Sequence, residues 1–236
     1  MPNKPISKRL LTEQRLIIYL CVFFSFQLAG FSAKAETLPV SVSILVSDNF
    51  PRLIRRATRA LKKTGLDIKV NTYPHKRSLA MLSRGEVALE IARIPYAVSQ
   101  FTDLVRLQPS VQSLNYQMIT SSKTPEMCEV NEEDYESMSA VGILGSDPHE
   151  TYYSSKFRYF TIIGDAPALV KFVVLRRAEV SFLPEIVLNA LPEEKMRGLK
   201  VCKTNSTEFE AYLHLHKNYI WAKDAVETEL KAEFNK

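Results

Sequence analysis

The chain carries no Gly-x-Ser-x-Gly, no repeat of fixed period and no low-complexity tract. The first absence argues against a serine-hydrolase elbow, and no cysteine is paired with a histidine in sequence to replace it. The second argues against solenoids and propellers. Uncharged apolar runs are scarce as well. The one at 16–29, LIIYLCVFFSFQLA, is short for the ~20 residues of a membrane-spanning helix. It follows a basic start (Lys4, Lys8, Arg9, Arg15) and precedes Ala33-Lys34-Ala35, a small-x-small cleavage pattern. This order is that of a secretory signal peptide over residues 1–35, with a membrane anchor as the competing reading. Cys21 follows Ile18-Tyr19-Leu20, without the small residues of a lipoprotein site, so lipidation is not expected.

An excess of positive charge is also missing once the leader is set aside. The whole sequence has 31 Lys+Arg against 26 Asp+Glu. Removing residues 1–35 leaves 26 against 25, so the basic balance belongs to the leader and no nucleic-acid partner is expected. Arg52, Arg55, Arg56, Arg59, Lys62 and Lys63 cluster at helical spacing and read as a solvated helix face. Only Cys128 and Cys202 remain beyond the leader. In an oxidising compartment they are a candidate disulfide, worth on the order of 4 kcal/mol on the chain-entropy model; the alternative is two separately buried thiols.

What is present is alternation. Val40, Val42, Ile44 and Val46 space as a strand, and Asp48-Asn49 can cap the helix whose apolar face is Leu53, Ile54, Ala57, Ala60 and Leu61. A second strand spans 66–72. Then Tyr73 to Pro95, YPHKRSLAMLSRGEVALEIARIP, reads as a break, a helix, a turn at Gly85 and a strand over Val87, Leu89 and Ile91. The resulting β-α-β-α-β run implies a mostly parallel sheet with helices on both faces. Short strands follow at 104–107 and 116–120, and a second α/β pattern occupies 140–201. Residues 210–214 read as a return strand and 219–234 as a terminal helix. The segments YQMIT and AYLHL then serve as two crossovers, dividing the chain into residues 36–116, 117–208 and 209–236.

Arg93, just past a strand end, points to the crevice where α/β layers bind ligands. Its forked donors match a carboxylate; the alternative is an ion pair with Glu90. Tyr73 offers a flat wall or core packing. Arg77 flanks the same mouth or sits on the surface. Asp48 and Ser146 follow strand ends and join the candidate set. If a helix starts at Gly145-Ser146-Asp147, its amides would hold an anionic ligand end; otherwise this is an ordinary turn. His214 and His216 share a strand face, but no acid stands at ligand spacing, so neither a metal nor a cofactor is expected.

The run YPHKRSLAMLSRGEVALEIARIP with LVRLQPSV resembles the first lobe of bacterial extracellular solute-binding proteins of family 3. GILGSDPHE is similar to the opening of their second lobe, LVKFVVLRRAEVSFLPE to a helix and strand within it, and FEAYLHLHK to their return strand. The resemblance implies a two-lobed, type 2 periplasmic binding protein-like α/β fold, each lobe a mostly parallel sheet flanked by helices. It implies a periplasmic, monomeric, non-enzymatic protein that closes on a small polar, carboxylate-bearing ligand for a membrane transporter or sensor. Glu185 stands close to where such proteins place an acid for an amino group. The alternatives on this fold are a cyclohexadienyl dehydratase-like enzyme, with Glu90 or Glu185 as acid, and an interaction module that binds no ligand.

Overall fold

The computed structural model describes residues 37–235; the proposed signal peptide, its cleavage near Ala35 and Cys21 lie outside them. β1 (Thr37–Ser43) opens the sheet, earlier than the apolar alternation suggested. The Ser43 hydroxyl accepts from the amide of Val46 at 3.3 Å and caps α1 (Ile44–Asn49). Ile44 and Val46 are therefore helical, and Asp48-Asn49 closes that helix instead of capping the next. A short apolar run does not declare its own period, and a serine cap decided this one. α2 (Pro51–Lys63) follows with proline in its first turn and buries Leu53, Ala57, Ala60 and Leu61. Spacings of three and four put these on one face.

β2 (Asp67–Tyr73), α3 (His75–Ser83), β3 (Leu89–Arg93), the single turn α4 (Pro95–Val98) and β4 (Leu104–Arg106) complete the first half. β5 (Gln112–Ser121) crosses to the second half, where β6 (Ser139–Ile143), β7 (Tyr159–Ile163), α5 (Ala166–Val174), β8 (Val180–Pro184), α6 (Glu185–Ala190) and α7 (Glu193–Met196) follow. β9 (Leu199–His216) returns, and α8 (Lys223–Phe234) closes the chain. Among the described residues the strand order is β2-β1-β3-β9-β5-β8-β6-β7, with β4 on β9. β1 is parallel to β2 and β3, and β6 to β7 and β8. The long strands β5 and β9 run antiparallel to each other and to the strands beside them.

β9 departs from the sequence reading, which placed separate strands at 199–201 and 210–214. The polar stretch between them, KTNSTE, is extended; Ser206, Thr207 and Glu208 pair with β5, and Lys203 to Asn205 lie in a bulge where the register shifts. Its side chains carry no core-facing alternation, so the pairing is fixed by backbone hydrogen bonds and not by apolar pattern. The basic face of α2 also differs from expectation. Arg56, Arg59 and Lys63 converge on the buried Glu233 of α8 at 3.5, 3.3 and 3.9 Å, so part of the cluster docks the terminal helix.

Cys128 and Cys202 form a disulfide, separated by 74 residues and packed in an aromatic core with Tyr135, Tyr153, Phe157 and Phe182. Cys128→Ser/Cys202→Ser is expected to lower stability by about 2–4 kcal/mol. Thermal melts should show a fall of roughly 10 °C for a domain of this size; a fall below 2 °C would mean the crosslink restricts little.

Candidate functional site

The parallel strands of both halves point their C-terminal ends at a common cleft. After β1 come Leu45, Asp48 and Phe50; after β6, Leu144, Gly145 and Ser146; after β7, Asp165 and Pro167; after β8, Ile186 and Val187. The cavity they enclose is about 630 Å³, a size that suits a small molecule. Its wall is mostly apolar, and it includes Ile44, Leu144 and Ile186, which are 45%, 56% and 51% exposed. A side chamber of about 50 Å³ continues inward, floored by His75, Tyr116, Ser146 and Asp147. It has room for a few waters or one small head group.

Arg93 does not line either chamber. It is 2% exposed and every nitrogen is engaged. Nε donates to Glu90 Oε2 at 2.6 Å, one terminal nitrogen to Asp147 Oδ1 at 2.8 Å, and the other to the His75 carbonyl at 2.8 Å. Glu90 also accepts from the Ser78 hydroxyl at 2.6 Å, and His75 Nε2 meets Asp147 Oδ1 at 2.5 Å. A bulge places these groups together. Ala92 has φ +63°, and the β3–β9 register slips between Glu90 and Arg93, so side chains three apart point the same way. The strand extends through Arg93 itself, which explains why a reading that stopped it at Ile91 placed this side chain at an open crevice. Burial opposes the charge on Arg93, but Glu90 and then Asp147 outweigh it and hold its pKa above the usual value. Burial likewise pushes Asp147 up, and Arg93 with His75 overcomes that, leaving it below the ordinary carboxylate range.

The turn after β6 is also filled. The amide of Gly145 donates to Glu150 Oε1 at 3.0 Å, that of Ser146 to Ile143 O at 3.2 Å, and that of Leu144 to Ile163 O at 2.8 Å. Two of the three amides of the expected anion cradle at Gly145-Ser146-Asp147 therefore hold the protein's own acceptors. Gly145 itself is needed: its φ is +81°, and a Cβ there would lie 3.2 Å from His75 Cβ.

The remaining sequence candidates separate. Asp48 and Ser146 line the cleft. Tyr73 ends β2 with the Arg77 guanidinium 5.7 Å above its ring, and neither lines the chambers. Glu185 borders a different groove of about 330 Å³ with Gln112 and Asn189. His75 and Tyr116 were missed by sequence reasoning. His75 opens α3 just after a strand end, which is a positional signal of the same kind as that used for Arg93. Tyr116 is 5% exposed, its hydroxyl 3.3 Å from Ser146 Oγ, and burial pushes its pKa up, so it stays a neutral hydroxyl. Among the described residues no group of three His, Cys, Asp or Glu has metal-holding geometry, and no helix is long and apolar enough to cross a membrane.

This architecture is the type 2 periplasmic binding protein fold. The GluR0 ligand-binding core complexed with L-glutamate superposes with a TM-score of 0.66 at 9% identity, over 86% of this chain and 94% of that one. A histidine kinase sensor domain with similarity to periplasmic binding proteins gives 0.66 at 9%, over 84% and 90%. The arginine-, lysine-, histidine-binding protein ArtJ of Geobacillus stearothermophilus gives 0.61 at 14%, over 85% and 90%. No protein-family model and no curated protein sequence matches the chain.

Proposed function

We propose that the protein is an exported solute-binding protein that closes on a small ligand and serves a membrane transporter or sensor. One lobe comprises residues 36–116 and 209–236, the other 117–208, and the chain acts as a periplasmic monomer after loss of residues 1–35. The observation that carries this reading is the 630 Å³ cleft at the C-terminal ends of both sets of parallel strands, with buried polar groups at its inner end. The neighbours named above add support: one is a complex with L-glutamate, one a sensor domain and one an arginine-, lysine-, histidine-binding protein. Hinge closure is the motion periplasmic binding proteins use, and a ligand touching both lobes stabilises the closed form.

The ligand-contacting residues in this reading are Asp48 and Ser146, joined by His75 and Tyr116. A carboxylate on the ligand was expected because of Arg93. That guanidinium is committed to Glu90 and Asp147, so the geometry gives the carboxylate no partner there. The dehydratase alternative loses support for a related reason. Glu90 is fully buried against Ser78 and Arg93, and Glu185 borders the separate groove. Neither acid reaches the chamber.

A thermal-shift screen tests the function. A true ligand at a hundred times its dissociation constant should add roughly 2.7 kcal/mol of stability, and scattering should show a smaller radius of gyration on binding. A panel of amines, amino acids, carboxylates and sugars that produces neither change would sink the solute-binding reading.

A further inference from the structure

We infer that the protein's own contacts shut one flank of the cleft, with Asp147 of the second half locked onto Arg93 of the first, so that a ligand enters and the lobes part only at the opposite flank, between α1 and α6. The inference rests on the two-lobed solute-binding reading above and gives it an entrance and a direction of closure.

The shut flank is bound by polar and apolar contacts together. A terminal nitrogen of Arg93 donates to Asp147 Oδ1 at 2.8 Å, and the two side chains are 1% and 9% exposed. Such a charge-assisted bond is about twice as strong as a neutral one, and the low local dielectric strengthens it further. The backbones close in behind it: a Cβ on Gly145 would stand 3.2 Å from His75 Cβ of α3. Ile94 and Ala97, at the end of β3 and in α4, are 3% and 4% exposed and share an apolar cluster with Tyr153 and Phe182 of the second half. Toward the surface Tyr96 meets Tyr152 edge-on, with ring centres 5.8 Å apart, and Lys76 reaches Glu150 at 3.6 Å. Parting the halves here breaks an ion pair and bares apolar surface at the same time.

The opposite flank is built differently. Among the described residues no hydrogen bond or ion pair joins residues 44–50 to the second half. Leu45 supplies an apolar contact to the second core, while Ile44, Leu144 and Ile186 are left exposed around the cavity. Drawing these surfaces onto a ligand gains burial and breaks no polar contact. The connections between the halves turn this difference into a direction. β5 and β9 are the two crossings, and a pair of strands can twist as well as bend. A third set of contacts, running from buried Arg93 out to exposed Lys76, fixes one side of them. The low-cost motion that remains swings α1 against α6 and the segment 165–167, which is a hinge with one side already closed.

The experiment reads distance distributions by double electron–electron resonance between spin labels on introduced cysteines in the full mature chain. Arg77→Cys with Ser155→Cys spans the shut flank, and Arg52→Cys with Ala168→Cys the open one; all four positions are exposed. The first pair is expected to give one narrow distance, and the second a distribution about twice as broad. Asp147→Ala leaves Arg93 balanced by Glu90, so the fold persists, and it should broaden the first pair about twofold. Equal widths at the two flanks of the wild type would overturn the inference, whether or not the variant folds. A first pair that stays narrow in folded Asp147→Ala would overturn it as well. Neither result touches the solute-binding reading, because the labels report without a ligand and that reading is decided by the thermal-shift screen.

Discussion

Arg93→Ala is expected to destabilise the protein by about 3–5 kcal/mol, the range for removing one member of a buried ion pair. The loss comes less from the bonds deleted than from what remains. Glu90 is fully buried and Asp147 is 8% exposed, and each would keep a charge without its guanidinium. The midpoint should fall by roughly 10 °C or more, given a few degrees per kcal/mol at this chain length. Arg93→Met combined with Glu90→Gln and Asp147→Asn removes every charge of the set at similar volume and should recover most of the loss, because a well-packed neutral replacement is often near neutral in stability. Denaturant titration measures both. A loss under 1 kcal/mol for Arg93→Ala would show that solvent reaches the network, and would return Arg93 to the list of groups free to meet a ligand.

Acidification from pH 7 to pH 4.5 is expected to cost on the order of 5 kcal/mol through two histidines. Burial lowers His149 from 6.5 to about 4; its Nδ1 accepts from the amide of Ile143 at 3.2 Å, and Nε2–H donates to Phe182 O at 2.6 Å. Burial, and then the nearby Arg93 charge, lowers His214 to about 4 as well. With folded values below unfolded ones, the unfolded chain binds more protons between pH 6.5 and 4. Stability therefore rises with pH across that window, is fully present above 6.5, and is lost as pH falls toward 4. A drop from 6.5 to about 4 corresponds to roughly 3 kcal/mol for each group. Asp147, whose pKa is lowered, adds its own loss only below its unfolded value of 3.8. His214→Leu should remove about half the slope of stability against pH between 6.5 and 4.5. A wild-type slope near zero in that interval would mean that both rings accept protons in the folded state.

The fold was legible because its signals are local. The face Leu53, Ala57, Ala60, Leu61, the left-handed turns at Gly65 and Gly85, and the strand–helix alternation each declare themselves within about ten residues. Strand ends read at Val46 and Leu144, three residues and one residue past the observed ends, still put Asp48 and Ser146 where the structure has them lining the cleft. What the pattern does not encode is who partners whom. Asp147 lies 54 residues from Arg93, and nothing in GSDPHE announces that its carboxylate occupies the guanidinium. The left-handed conformation of Ala92 is equally silent, because alanine gives no hint of a positive φ. The polar middle of β9 has no hydrophobic alternation, so a pattern search sees two strands where the backbone makes one.

That unbroken β9 ties the two halves to a shared fate. Its last residues lie between β3 and β4, and its first residues flank β5. Without β9, β3 would lose its neighbour and β4 its only partner among the described residues, while β5 would bare a long rim of unpaired amides and carbonyls. Such rims recruit other chains. Neither half can therefore complete its sheet ahead of the other, since both wait for the same strand.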